Sequence, residues 1–194
     1  MTCVVGIELN GGVVLAADSI GVSGSFKSPR LDKKVFVNGQ YVIGYTSSYR
    51  MGQLLRYAEL PMVEPDRRGE DLFKHMVTEF IPAIRELFKD AGYAKVDSNE
   101  ESAGEFLVGV NGQLLKIASD YQVGRRSTPY DACGSGQAAA LGALHITREM
   151  SRNPRQHGLF KVLYAVEACD AWVGAPFHSI ALVDGEVTEM TAGS

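Results

Sequence analysis

The stretch TCVVGIELNGGVVLAADS, residues 2–19, reads as a β-hairpin. CVVGIEL and VVLAAD are apolar, β-branched runs of strand length. Asn10-Gly11-Gly12 between them supplies the positive φ angles of a tight turn. Three further hairpins follow the same logic: LDKKVFV with YVIGYT about Asn38-Gly39, EFLVGV with QLLKIAS about Asn111-Gly112, and FHSIALV with EVTEMT about Asp184-Gly185. TPYDACG, residues 128–134, is one more strand. The segment GVSGSFKSPR (21–30) reads as a small-residue loop, and residues 93–103 as a polar loop.

Helical spacing appears in four places. Ser47 or Ser48 offers an N-cap for a helix carrying Met51, Leu54, Leu55 and Ala58 up to Pro61. A longer helix places Leu72, Phe73, Met76, Val77, Phe80, Ile84, Leu87 and Phe88 on one stripe, with Pro82 predicted to kink it and Gly92 to stop it. GQAAALGALHITREM is a small-residue helix. GLFKVLYAVEACDAWVG is another, its apolar face interrupted near Asp170. Grouped hairpins, rather than alternating strand and helix, argue for antiparallel sheets with helices outside. The expected fold is α+β: a four-layer αββα sandwich, two antiparallel sheets between helix pairs, formed by a single domain over residues 1–194.

Composition bounds the function. With 194 residues, 45% of them hydrophobic and 22% charged, the chain can build one sizeable core. A net charge of -4 offers no basic face for nucleic acid or anionic lipid. No apolar run approaches the roughly 20 residues of a membrane helix. MTCVVGIELNGG lacks the cationic leader and cleavage site of an export signal. Cys3, Cys133 and Cys169 are an odd number without metal-site spacing. A reduced, cytoplasmic protein without nucleic-acid or membrane partners is expected.

Familiar catalytic signatures are absent: no G-x-S-x-G elbow, HExxH, CxxC or phosphate-loop motif occurs. The histidines His75, His145, His157 and His178 are scattered and read as surface or core packing. Gly134-Ser135-Gly136-Gln137-Ala138-Ala139 matches the G-x-G-x-x-A form of a dinucleotide fingerprint. Its surroundings are hairpins and no ribose-binding acid is placed downstream, so a nucleotide-binding module over Gly134–Ala139 is the alternative of another class. The bland account is glycines in a tight strand-to-helix turn.

The remaining constellation is the chain start. A small second residue permits removal of Met1, which would leave Thr2 with its hydroxyl beside its own α-amine. Such an amine titrates at about 7.7–8.0, so a usable fraction is neutral at pH 7 and can take the hydroxyl proton.

Residues 2–19 resemble the opening of proteasome β-subunits and of the bacterial HslV peptidase, members of the N-terminal-nucleophile hydrolases. Further motifs carry the resemblance: KKVFV, VIGYTSS, ACGSGQAAA and EACDAWVG, in the family's order. The resemblance implies a threonine endopeptidase subunit of a self-compartmentalised protease that cleaves unfolded polypeptide. Thr2 would be the nucleophile, Lys34 the essential lysine, Asp18 its carboxylate partner, Gly44 the oxyanion amide, and Ser135 and Asp170 the supporting network. It further implies a homo-oligomeric ring or stacked rings. No cofactor is required, and any ATPase would be a separate chain. A structural cation on the carbonyls of Cys169, Trp172 and Ala175 is a further expectation from the family.

The chain also departs from the pattern. Val173 stands where proteasome subunits often carry serine, Ile20 where many carry arginine, and Val22 in place of a threonine. Thr46-Ser47-Ser48 replaces a glycine-rich stretch. A catalytically silent member of the same ring family is therefore the second alternative. The apolar surroundings of Val42 and Gly44 predict cleavage after apolar residues.

Overall fold

The computed structural model describes residues 2–97, 100–150 and 156–193; Met1, whose removal the sequence reading requires, lies outside them. So do the side chains of 148–150 and of 156–157, His157 among them. The strands are β1 (Cys3–Leu9), β2 (Gly12–Asp18), β3 (Ile20–Ser23), β4 (Phe26–Pro29), β5 (Val35–Asn38), β6 (Tyr41–Tyr45), β7 (Lys95–Asp97), β8 (Glu100–Ser102), β9 (Phe106–Val110), β10 (Gln113–Ile117), β11 (Val123–Gly124), β12 (Tyr130–Gly134), β13 (Phe177–Val183) and β14 (Glu186–Ala192). The helices are α1 (Tyr49–Tyr57), α2 (Gly69–His75), α3 (Ile81–Asp90), α4 (Gln137–Met150) and α5 (Gln156–Glu167).

Two five-stranded antiparallel sheets form, ordered β12-β1-β2-β13-β14 and β11-β10-β9-β6-β5. Strand alternation decides what each face meets. In β1, Cys3, Val5 and Ile7 face α4 and α5 through Leu144, Leu159 and Val166. Val4, Val13, Leu15, Val35, Val42 and Leu107 fill the space between the sheets. The far face of the second sheet, with Phe36, Ile43 and Val108, packs on Met51 and Leu55 of α1 and on Ile84 and Phe88 of α3. Because both faces are covered, the central strands are buried along nearly their whole length.

Four local expectations are corrected. Residues 20–29 are not a loop but the hairpin β3–β4, and 95–102 hold the paired strands β7 and β8, with 98–99 outside the described residues. Both ribbons are largely exposed, so no inside–outside alternation marks them in the sequence. The long helix is divided by a π turn, Met76–Phe80, which leaves Pro82 in the first turn of α3 where its missing N–H costs nothing. The last helix stops at Glu167 rather than running on to Gly174. Among the described residues no helix is long and apolar enough to cross a membrane.

Four hairpin turns, at Gly11, Gly39, Asn111-Gly112 and Asp184-Gly185, lie together at one end of the paired sheets. Thr2, Asp18, Lys34, Thr46, Glu105 and Gly134 all lie at the opposite strand ends.

Candidate active site

Thr2 immediately precedes β1, Asp18 is the last residue of β2, and Lys34 immediately precedes β5. The pairing Val4↔Ala17 sets the first two side by side, and Cys3 N–H donates to Asp18 Oδ1 at 3.0 Å. Ile20 N–H donates to Asp18 Oδ2 at 3.1 Å. Lys34 Nζ donates to Asp18 Oδ2, to the Ile20 carbonyl and to Thr2 Oγ1, each at 2.8 Å. All three ammonium protons are thus engaged. The side chains of Asp18 and Lys34 are buried, as is Thr2.

The electrostatics follow from that burial. Desolvation pushes the Asp18 carboxyl up, opposed by Lys34 and the two amide donors. Desolvation likewise pushes the Lys34 ammonium down, opposed by Asp18. A lysine with a lowered proton affinity, hydrogen-bonded to a hydroxyl, eases that hydroxyl toward alkoxide. Burial likewise pushes the neighbouring Cys3 thiol far up.

The Gly134-Ser135-Gly136 turn closes the other side. Gly134 has φ +96°, and a β-carbon on it would lie 2.1 Å from the Thr2 carbonyl oxygen. Ser135 Oγ donates to that same oxygen at 3.4 Å. A β-carbon on Gly136 would come within 2.4 Å of Val166 and 3.0 Å of Cys3 Cβ. These glycines are accounted for by close packing of α4 and β12 on the chain start, without a phosphate.

No protein-family profile matches the chain, and neither does any curated protein. Solved structures do. BPH of Thiobacillus denitrificans superposes with a TM-score of 0.74 at 19% identity, covering 94% of this chain and 98% of that one. HslV from Trypanosoma brucei gives 0.65 at 18%, covering 94% and 99%. The Anbu Gly-1 mutant of Hyphomicrobium sp. strain MC1 gives 0.66 at 17%, covering 98% and 88%. The chain shares the fold of these structures, the HslV-type fold.

Within the HslV-type fold, the other residues singled out in the sequence fare unevenly. Gly44 lies inside β6, paired with Val35 on one side and Leu107 on the other. Tyr45 N–H donates to Lys34 O and Thr46 N–H to Glu105 O, so the ladder's alternation sends the Gly44 N–H to Leu107. A β-carbon on Gly44 would sit 2.5 Å from Val4 Cγ1, between the sheets. Its amide is therefore committed to the ladder, and the residue is a packing glycine. Beyond Thr46 the strand ladder ends. Ser48 N–H donates to Thr46 O at 2.7 Å across Ser47, whose φ is +65°: a γ-turn of the rarer, strained form.

Asp170 accepts from Trp172 N–H at 2.8 Å, and among the described residues it makes no hydrogen bond to Thr2 or Ser135. Val173 is fully buried in the apolar cluster with α5, which explains a hydrocarbon at that position. Cys169, Trp172 and Ala175, whose carbonyls the family resemblance implies as cation ligands, lie in the segment between α5 and β13. The nearby Glu167 carboxylate already accepts from Ala175 N–H, and a β-carbon on Gly174 would lie 3.0 Å from the Lys27 ammonium. No cluster of metal-ligating side chains occurs among the described residues.

Val42 is buried between the sheets and lines no cleft beside Thr2, so the specificity reading built on it is withdrawn. A groove of about 720 Å³ is walled by Leu31, Tyr45 and Tyr49 with Asp32, Lys33 and Arg50 among its charged groups, and neither Thr2 nor Lys34 lines it. Lys34 Nζ is 5.8 Å from the centre of the Tyr49 ring. Glu105, which braces the site, carried no signal in the sequence: a glutamate at a strand start looks like any solvated charge. His75 is buried against Tyr41, Arg67 and Glu79, His145 lies by Tyr130, and His178 by Thr191.

Proposed function

We propose that the chain is a threonine-type endopeptidase subunit whose nucleophile is Thr2 once Met1 is removed. The observation that carries this reading is the buried Lys34 ammonium, 2.8 Å from both Thr2 Oγ1 and Asp18 Oδ2. Thr2 Oγ attacks the peptide carbonyl while the freed α-amine accepts its proton. Lys34 stabilises the alkoxide, Asp18 holds Lys34 in place, and Ser135 orients the Thr2 backbone. The oxyanion forms beside the Ser47 amide, a contact of a kind worth about 3 kcal/mol. The protonated α-amine gives its proton to the departing amine as the peptide C–N bond breaks, and water then hydrolyses the ester to release the acyl group and restore Thr2.

The same reading takes the helices–sheet–sheet–helices packing as the αββα order. It makes unfolded polypeptide the substrate, a homo-oligomeric ring the assembly, and the cytoplasm the compartment, with any ATPase a separate chain. Substrate side chains meet the groove of Tyr45 and Tyr49. Since BPH of Thiobacillus denitrificans was solved with epoxomicin bound, that compound is a fitting probe.

The test is hydrolysis of fluorogenic peptides by protein purified from its own cells, alongside Thr2→Ala and an intact mass. Loss of Met1 with activity abolished in Thr2→Ala supports the reading. A chain that keeps Met1, or Thr2→Ala at wild-type rate, removes it. A second reading, a silent member of the same fold, is favoured by the Asp170 carboxylate being engaged with Trp172 rather than with Ser135.

A further inference from the structure

Two segments flank Thr2, and one residue ties them together. On one side is the Gly134-Ser135 turn, pressed on the Thr2 carbonyl. On the other is Thr46-Ser47, and Thr46 Cγ2 would lie 3.1 Å from a β-carbon on Gly134. Glu105, just before β9, holds both. Its carboxylate Oε1 accepts from Gly134 N–H at 3.1 Å. Its carbonyl accepts from Thr46 N–H at 3.2 Å and from Thr46 Oγ1 at 2.8 Å, and its own N–H reaches Ser47 Oγ at 3.4 Å.

The carboxylate is itself held. Lys116 Nζ lies 2.9 Å from Glu105 Oε2 and donates to Gln137 Oε1 at 2.7 Å in the first turn of α4. The second sheet, the start of α4 and the turn over Thr2 are thereby coupled through one side chain. A glycine at positive φ has no side chain to fix its own position, so an external acceptor for its N–H determines where the turn rests.

We infer that Glu105 is a positioning residue for the Thr2 centre: its carboxylate clamps Gly134, and so sets the Thr2 carbonyl and Ser135 against the Thr46-Ser47 segment. This rests on the threonine-peptidase reading, and it concerns placement rather than contact with substrate. Reactive groups displaced by ~1 Å lose about a hundredfold in rate.

The experiment compares Glu105→Ala and Glu105→Gln with the wild-type chain and Thr2→Ala in peptide hydrolysis and in hydrogen exchange. Glu105→Ala is expected to lower kcat about a hundredfold with little change in KM, and to speed exchange at the Gly134 amide. Glu105→Gln keeps an oxygen for Gly134 N–H but loses the ion pair with Lys116, so it is expected to restore most of kcat and the protection. If the ion pair alone matters, Gln fails as badly as Ala, and the inference is overturned. Wild-type kcat or unchanged Gly134 protection in Glu105→Ala overturns it equally. A processed wild-type chain without activity sinks the peptidase reading instead, and the exchange measurement still decides the clamp.

Discussion

Asp18 and Lys34 meet as an ion pair at 2.8 Å, with side chains only 0% and 2% exposed. Removing one partner leaves the other charged group buried without compensation. Asp18→Ala is expected to cost about 3–5 kcal/mol of stability, read by urea unfolding. A loss below about 1 kcal/mol would mean water already reaches the pair.

Thr2→Ala tests the chemistry apart from the fold. With the nucleophile gone, kcat is expected to fall by a factor on the order of 10⁵ or more. The lost Lys34 hydrogen bond should cost about 1–3 kcal/mol, leaving assembly intact by gel filtration. Turnover close to wild type would show another nucleophile at work.

Gly44→Ala separates packing from catalysis. Its β-carbon would crowd Val4, Val35 and Leu15, so about 1–3 kcal/mol of stability should be lost. The folded fraction should keep its kcat, because the Gly44 amide points along the ladder. A large kcat loss at unchanged stability would restore Gly44 as the oxyanion donor.

Alkaline pH should unfold the protein early. Burial pushes the phenols of Tyr41, Tyr45 and Tyr49 up, Tyr49 to about 12. Unfolded, they ionise near the usual 10; folded, they keep their protons. The folded state binds more protons in that window, so stability falls as pH rises from 10 to 12, by up to about 1.4 kcal/mol per pH unit for each fully buried phenol. Phenolate absorbance should therefore rise together with loss of the circular-dichroism signal. Ionisation of all eight tyrosines before any unfolding would contradict this burial.

Much of the fold was legible because turn chemistry is local. Asn111 and Asp184 take positive φ beside Gly112 and Gly185, so a dipeptide marks a hairpin. The β3–β4 ribbon was not legible: both its faces meet solvent, and its residues show no alternation. Of the candidate site, Thr2, Asp18 and Lys34 were found through the motifs around them. Glu105 was not, since its partners Gly134, Thr46 and Lys116 come from three different strands or their ends.

By itself the sequence determined the hairpin order, the antiparallel character of the sheets and the three polar residues now seen converging at the chain start. The hairpins and sheets follow from local backbone preferences, and the polar residues from the family resemblance of the motifs around them. Only the tertiary structure decided that the Gly44 amide is taken up by a neighbouring strand, that Asp170 bonds within its own turn, and that Glu105 braces the turn over Thr2. Each is a question of which distant group occupies a hydrogen-bonding direction. That is settled by sheet register and helix docking, which no single segment encodes.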